Sequence, residues 1–296
     1  MKDAAKLIVY FLAVVLGGAI LAPILYWAAA VATAHGLLPF LSRFGFESFF
    51  HRALLICALA FLWPLLRSLR LHSFRDLDLE RNPHSLRDVV AGVLLAGVPL
   101  GCAAVILISA KIFLLKTAIP WTSLGAVAAA AAVVPLIEET FFRGLILGIL
   151  LRGLRPVMAM FLSSAFFALV HFLKAPGRTN TVVAWHSGFK SIAHSFVQFT
   201  DPVMVLAAFT TLFLIGWILA DARLRTRSLW LPIGLHGGWI FVAGVVGKMT
   251  KRESEILPWL GRNLLIGLIP LLLAFCTWGL MLLWLRYAKY ANRENN

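Results

Sequence analysis

Along the whole chain, apolar runs long enough to cross a bilayer alternate with short basic segments. About 20 apolar residues in a helix span the hydrocarbon, so each run predicts one transmembrane helix. The runs are 7–34, 53–66 (with a start as early as 49), 89–109, 122–151, 157–173 (opening at Pro156 or Val157), 202–220, 229–247 and 264–285. The expected fold is all-α: a polytopic bundle of about 8 transmembrane helices with its site inside the bundle. The short alternating segments of a membrane barrel are absent from the pattern. The expected organisation is a single membrane domain over 1–296, with no internal repeat and no soluble domain.

The connectors carry their own signals. The first run overshoots a signal-peptide core and reads as an uncleaved helix, with Pro23 as a kink; Pro99 falls inside the third run. Residues 35–52 form an amphipathic connector, and 67–88 a polar loop rich in arginine. The longest connector is 174–201. Within it Trp185, Phe189, Ile192, Phe196 and Phe199 recur on one helical face, opposite Lys190, Ser191, His194 and Gln198. That pattern predicts an interfacial helix in the headgroup layer. His186 and His194 read there as solvated histidines rather than metal ligands.

Composition agrees with the pattern: 61% of residues are hydrophobic, 14% are charged, and the mean hydropathy is +0.89. A net charge of +14 would suggest nucleic acid in a soluble protein. Here the basic residues lie almost wholly between apolar runs, where they set topology and attract anionic headgroups. The expected partner on this evidence is therefore membrane lipid, and no nucleic acid. With the N-terminus inside, the inner segments hold more of the 27 lysines and arginines and are mostly shorter. This predicts a multi-pass membrane protein with both termini cytoplasmic. Cys57, Cys102 and Cys276 all fall inside apolar runs and offer neither a disulfide framework nor a thiolate metal site.

One stretch breaks the apolar pattern. Glu138-Glu139-Thr140-Phe141-Phe142-Arg143 puts three charges inside the fourth run. An ionised side chain at mid-bilayer costs about 2.5–3.5 kcal/mol, so these groups need partners, water or a task. On a helix Glu139 and Arg143 share a face and can pair, while Glu138 is turned about 100° away. A structural ion pair that locks helices together accounts for one glutamate. It does not account for two, because one arginine does not neutralise two carboxylates. The second is then free to take a proton from water, which is general-base work.

Two histidines reach comparable depth. At 1.5 Å per residue, Glu138 and His171 lie about 20 Å from the inner ends of their helices, and His236 about 10 Å. A lone histidine on an apolar helix is ordinarily a packed one. Two of them at the level of a glutamate pair are what a water-activating hydrolase needs: one group to take the proton, others to orient the water and hold the oxyanion. Histidine and glutamate are also ordinary zinc ligands, although no H-E-x-x-H helix is present.

Glu138-Glu139-xxx-Arg143, then Phe167-xxx-His171, then a motif led by His236, in that order on three helices, resembles the CPBP family. These are the CAAX-protease and bacteriocin-processing intramembrane endopeptidases. Ser163-Ser164 ahead of Phe167, and Ser228-Leu229-Trp230 ahead of Pro232, add to the likeness. The resemblance implies a catalytic core over 122–247 in which Glu138 activates water, Glu139 and Arg143 support it, and His171 and His236 complete the site. It leaves a glutamate-based and a metal-dependent mechanism open. If a metal such as zinc is used, Glu138, His171 and His236 are its implied ligands. His236-Gly237-Gly238-Trp239 looks like a bacterial branch of the family. There is one departure: Ile240 stands where the family has Asn or Asp four residues after the histidine. Oxyanion stabilisation then comes from elsewhere, with the Trp239 indole N–H a candidate, or the activity is altered or lost.

The expected function is hydrolysis of a peptide bond in a membrane-associated or lipidated peptide or protein. Two alternatives stand beside it. One is a proton-coupled transporter using the glutamate pair, a reading that inverted repeats with broken helices would favour. The other is a catalytically silent scaffold or immunity protein, which Ile240 favours.

Overall fold

The computed structural model describes residues 2–71, 73–80, 83–118, 121–172, 182–195, 202–252, 258–261, 264 and 267–288. The helices are α1 (Lys2–Ala34), α2 (Phe46–Ser68), α3 (Ser85–Ser109), α4 (Trp121–Glu139), α5 (Gly148–Leu151), α6 (Pro156–Phe172), α7 (Ser187–Ser195), α8 (Pro202–Thr226), α9 (Trp230–Met249) and α10 (Leu268–Tyr287). A π-helical segment, Thr140–Leu147, joins α4 to α5 without a break. Among the described residues, seven helices are long and apolar enough to cross a membrane, counting Trp121–Leu151 as one, and α6 is a shorter apolar helix. The protein is thus an all-α, multi-pass membrane protein, and each of the eight expected runs has its helix.

The boundaries move where local chemistry decides them. Helix α2 starts at Phe46, so most of the polar half of the expected 35–52 connector, with Glu47, His51 and Arg52, is helical. Gly45 in extended conformation precedes it, and the 3₁₀ turn Pro39–Arg43 occupies the rest. Helix α8 runs past Ala220 to Thr226 because its charges find partners: Arg225 pairs with Asp221 one turn away at 2.8 Å. The short strands β1 (Phe113–Leu115) and β2 (Thr250–Arg252) pair antiparallel, tying the segment after α3 to the end of α9. Three residues each are too few for a hydrophobic pattern to reveal.

The chain divides into two compact units. Met1–His72 with Leu169–Pro202 form the first. There Ala19, Ala22 and Ala53 let α1 and α2 approach closely, and Phe46 and Phe50 fill the seam. Tyr10 donates its hydroxyl to the Ala58 carbonyl at 3.0 Å. Helix α7 packs on α1 through Ser187, Gly188, Ser191 and Ser195, all buried, while Trp185 and Phe189 are exposed. The exposed aromatics are on the face expected to meet the headgroup layer, whereas Ser191, expected on the opposite polar face, is buried. A β-carbon on Gly188 would run into the backbone of Ala19, so the small-residue face, not the aromatic one, makes the contact. Phe196, Gln198 and Phe199 lie outside the described residues.

Ser73–Ala168 and Val203–Asn296 form the second unit. Its spine is α9, which packs most extensively on α3 and next on α4. Gly234 and Gly238, four apart, put the α9 backbone directly on α3. A β-carbon at Gly238 would lie 2.7 Å from the Val93 carbonyl oxygen, and one at Gly92 would lie 2.5 Å from the Leu235 nitrogen. Such small-xxx-small seams allow van der Waals packing in lipid, where no hydrophobic force draws helices together.

Candidate active site

Each polar side chain of the site is delivered by a helix of the second unit. Glu138 and Glu139 end α4, and Arg143 lies in the π-segment. Arg143 Nη1 donates to Glu139 Oε1 at 3.1 Å, and both side chains are fully buried. Arg143 Nη2 donates to the Gly216 carbonyl of α8 at 3.2 Å. The guanidinium carbon sits 4.2 Å from the centre of the Phe167 ring. A carboxylate, a carbonyl and an aromatic face thus share the compensation of one buried cation.

His236 arrives on the glycine-rich stretch of α9. Its Nδ1 lies 2.7 Å from Glu139 Oε1, the oxygen that also accepts from Arg143. A carboxylate oxygen already accepting from arginine takes a further donor, so Nδ1 carries the proton and the ring orientation is fixed. Nε2 is then turned toward Glu138, 3.9 Å from its Oε2. That gap is too long for a direct hydrogen bond and suits one bridging water. The ring also meets Phe167 edge to face, with centroids 6.0 Å apart.

The two glutamates have different surroundings. The Glu139 side chain is fully enclosed, whereas that of Glu138 is 29% exposed. Glu139 therefore holds other groups in place, and Glu138 is the less enclosed carboxylate of the two, with the Oε2 that faces His236 buried inside the site. The sequence expectation that Glu139 pairs with Arg143 and that Glu138 points elsewhere matches this geometry, as does the nearness of Glu138 to His236. His171 stands in the last turn of α6, one turn beyond Phe167, half-buried.

The site rests on a loop expected only to be polar. The 3₁₀ turn Phe74–Leu77 contacts the π-segment. Asp78 accepts from Arg223 Nε and Nη2 at 2.9 and 2.6 Å, and its carbonyl accepts from the Leu229 amide at 3.1 Å. Trp230 Nε1 donates to the Glu80 carbonyl at 3.0 Å. Leu229 and Trp230, the cap and first residue of α9, are thereby fastened to this loop.

The resemblance leaves room for zinc, and the residues present can be tested against it. Among the described residues no three His, Cys, Asp or Glu side chains are grouped to hold a metal ion. His236 uses Nδ1 on Glu139 and so offers Nε2 alone. With Glu138 that makes two donors, fewer than the three protein ligands of a catalytic zinc. The described residues do not fit a zinc centre.

Sequence reasoning missed Gly216 and the glycine seam. The Gly234-xxx-Gly238 spacing is a readable signal for close helix packing. The Gly216 carbonyl is not, since a backbone acceptor leaves no mark in side-chain pattern. Comparison with known proteins matches residues 120–242 to the family model described as Rce1-like, type II CAAX prenyl endopeptidase Rce1-like. No curated protein and no solved structure matches the chain.

Proposed function

We propose that the chain, whose residues 120–242 match the Rce1-like type II CAAX prenyl endopeptidase family model, is an intramembrane endopeptidase that cleaves a membrane-associated or lipidated peptide or protein, with Glu138 as general base. One observation carries this reading: Glu138, partly exposed, faces His236 Nε2 while Glu139 holds the other side of the same ring.

The roles follow from that arrangement. A water between Glu138 and His236 Nε2 gives its proton to the Glu138 carboxylate as its oxygen attacks the scissile carbonyl carbon. The carbonyl oxygen becomes an oxyanion. The C–N bond then breaks, and the proton held by Glu138 passes to the leaving nitrogen, which restores the carboxylate. Glu139 and Arg143 touch no reacting atom; they position the imidazole, as a buried acid does for the histidine of a serine-hydrolase triad.

The test is turnover of a peptide library by purified full-length protein beside its Glu138→Gln variant. Cleavage by the unmodified protein that vanishes in Glu138→Gln supports the reading; equal cleavage by both removes Glu138 as the base. Ile240, half-buried and one turn after His236, supports a second reading, a silent scaffold or immunity protein. Folded protein that cleaves nothing would favour it.

A further inference from the structure

The first unit contains a cleft that the proteolytic reading does not use. It has a volume of about 130 Å³ and is lined by Phe46, Glu47, Val183, Ser187, Lys190, Ser191 and His194. The start of α2 supplies Phe46 and Glu47, and α7 supplies most of the rest.

Glu47 is the unusual group. The residue is 7% exposed, and its Oε1 accepts from the buried Ser191 hydroxyl at 2.9 Å. Its Oε2 is buried with no hydrogen-bond partner among the described residues. Lys190 and His194 line the same cleft, and among the described residues neither forms an ion pair with Glu47. A buried carboxylate oxygen left this way is costly unless a donor arrives from outside the protein. Its best complement is a primary ammonium, which is cationic and brings three N–H donors. Lys190 and His194, both exposed, present positive or donor groups at the same cleft and complement an anion.

We propose that this cleft binds the headgroup of an ethanolamine phospholipid, with the ammonium on Glu47 and the phosphate on Lys190 and His194. The two charges of that headgroup match the two polarities of the cleft, and its bulk suits the volume. The lipid source follows from the location. The cleft opens at the first turn of α2, a helix long and apolar enough to cross the membrane, where a bilayer places its headgroups. Choline phospholipids share the phosphate, but their quaternary nitrogen has no N–H to give, so Glu47 discriminates between the two. Free phosphoethanolamine shares the whole headgroup and differs only in lacking acyl chains.

Native mass spectrometry of the purified full-length protein, given equal amounts of dioleoyl-phosphatidylethanolamine and dioleoyl-phosphatidylcholine, tests this. The unmodified protein retains the ethanolamine lipid about tenfold better, the scale of one charge-assisted hydrogen bond. Glu47→Gln, which keeps the shape and the acceptor for Ser191, abolishes that preference. Lys190→Ala lowers retention of both lipids and leaves their ratio unchanged. Equal retention of the two lipids by the unmodified protein, a preference that survives Glu47→Gln, or no effect of Lys190→Ala overturns the proposal. Free phosphoethanolamine displacing the lipid at equal concentration assigns the cleft to a soluble ligand and overturns the lipid source.

Discussion

A single oxygen, Glu139 Oε1, accepts from both Arg143 Nη1 and His236 Nδ1, at 3.1 and 2.7 Å. The guanidinium therefore acts on the histidine through the carboxylate. Removing either end changes the charge that the other end meets.

Arg143→Ala is expected to lower both expression yield and thermal stability in detergent. It strands the fully buried Glu139, and breaking such a pair from one side costs about 3–5 kcal/mol. Arg143→Lys is expected to recover only part of this, since an ammonium cannot reproduce the planar fork that serves Glu139 and Gly216 together. Unchanged melting of Arg143→Ala would show that the pair contributes nothing.

Glu139→Gln is expected to behave differently from Glu138→Gln. The first loosens the His236 ring and lowers both turnover and melting temperature. The second leaves melting unchanged and costs about 10²–10⁴ in rate, the usual worth of a general base. Parallel melting curves and progress curves separate them; identical profiles for the two variants would dissolve the division of labour between adjacent glutamates.

On the glycine seam, Gly238→Leu is expected to push α9 off α3 and abolish stable folding. Gly247→Leu, on the same helix with nothing within 4 Å of its would-be β-carbon, is expected to be tolerated. Thermal unfolding of the two variants gives the comparison, and equal destabilisation would mean that the seam is not what seats His236.

Trp239→Phe is expected to lower turnover at least tenfold, because an oxyanion donor is worth roughly 10²–10³ in rate, while Ile240→Ala changes it little. Trp239 is buried rather than set among lipid. Equal rates for Trp239→Phe and the unmodified protein would remove the indole as the donor. Activity appearing only in Ile240→Asn would make the native site a silent one.

Much of this was legible in the pattern of the chain. Long apolar runs have few ways to satisfy their backbones in lipid, so the helices could be counted, and three charges within one run pointed to Glu138, Glu139 and Arg143. His236 was found because an imidazole in an apolar helix is conspicuous. The pattern failed where backbone atoms act. Gly216 contributes a carbonyl, Gly188 contributes an absent side chain, and Asp78 is a loop residue whose partner Arg223 lies far along the sequence. On α7 the outward aromatics were readable, but the packing through serine and glycine on the other face was not.

The π-helical segment Thr140–Leu147 has one more consequence. A π-turn holds an extra residue relative to an α-turn. Deleting one residue from this segment would let it relax to ordinary helix, so the helices on either side would keep nearly their present register, and the change would fall on the faces to which the residues inside the segment point. Phe142 through Leu147 are all buried, so the cost of such a deletion lands on their packing and on the Glu139 pair. Chimeras that exchange this stretch must keep its buried side chains as well as the residue count between Glu139 and Arg152.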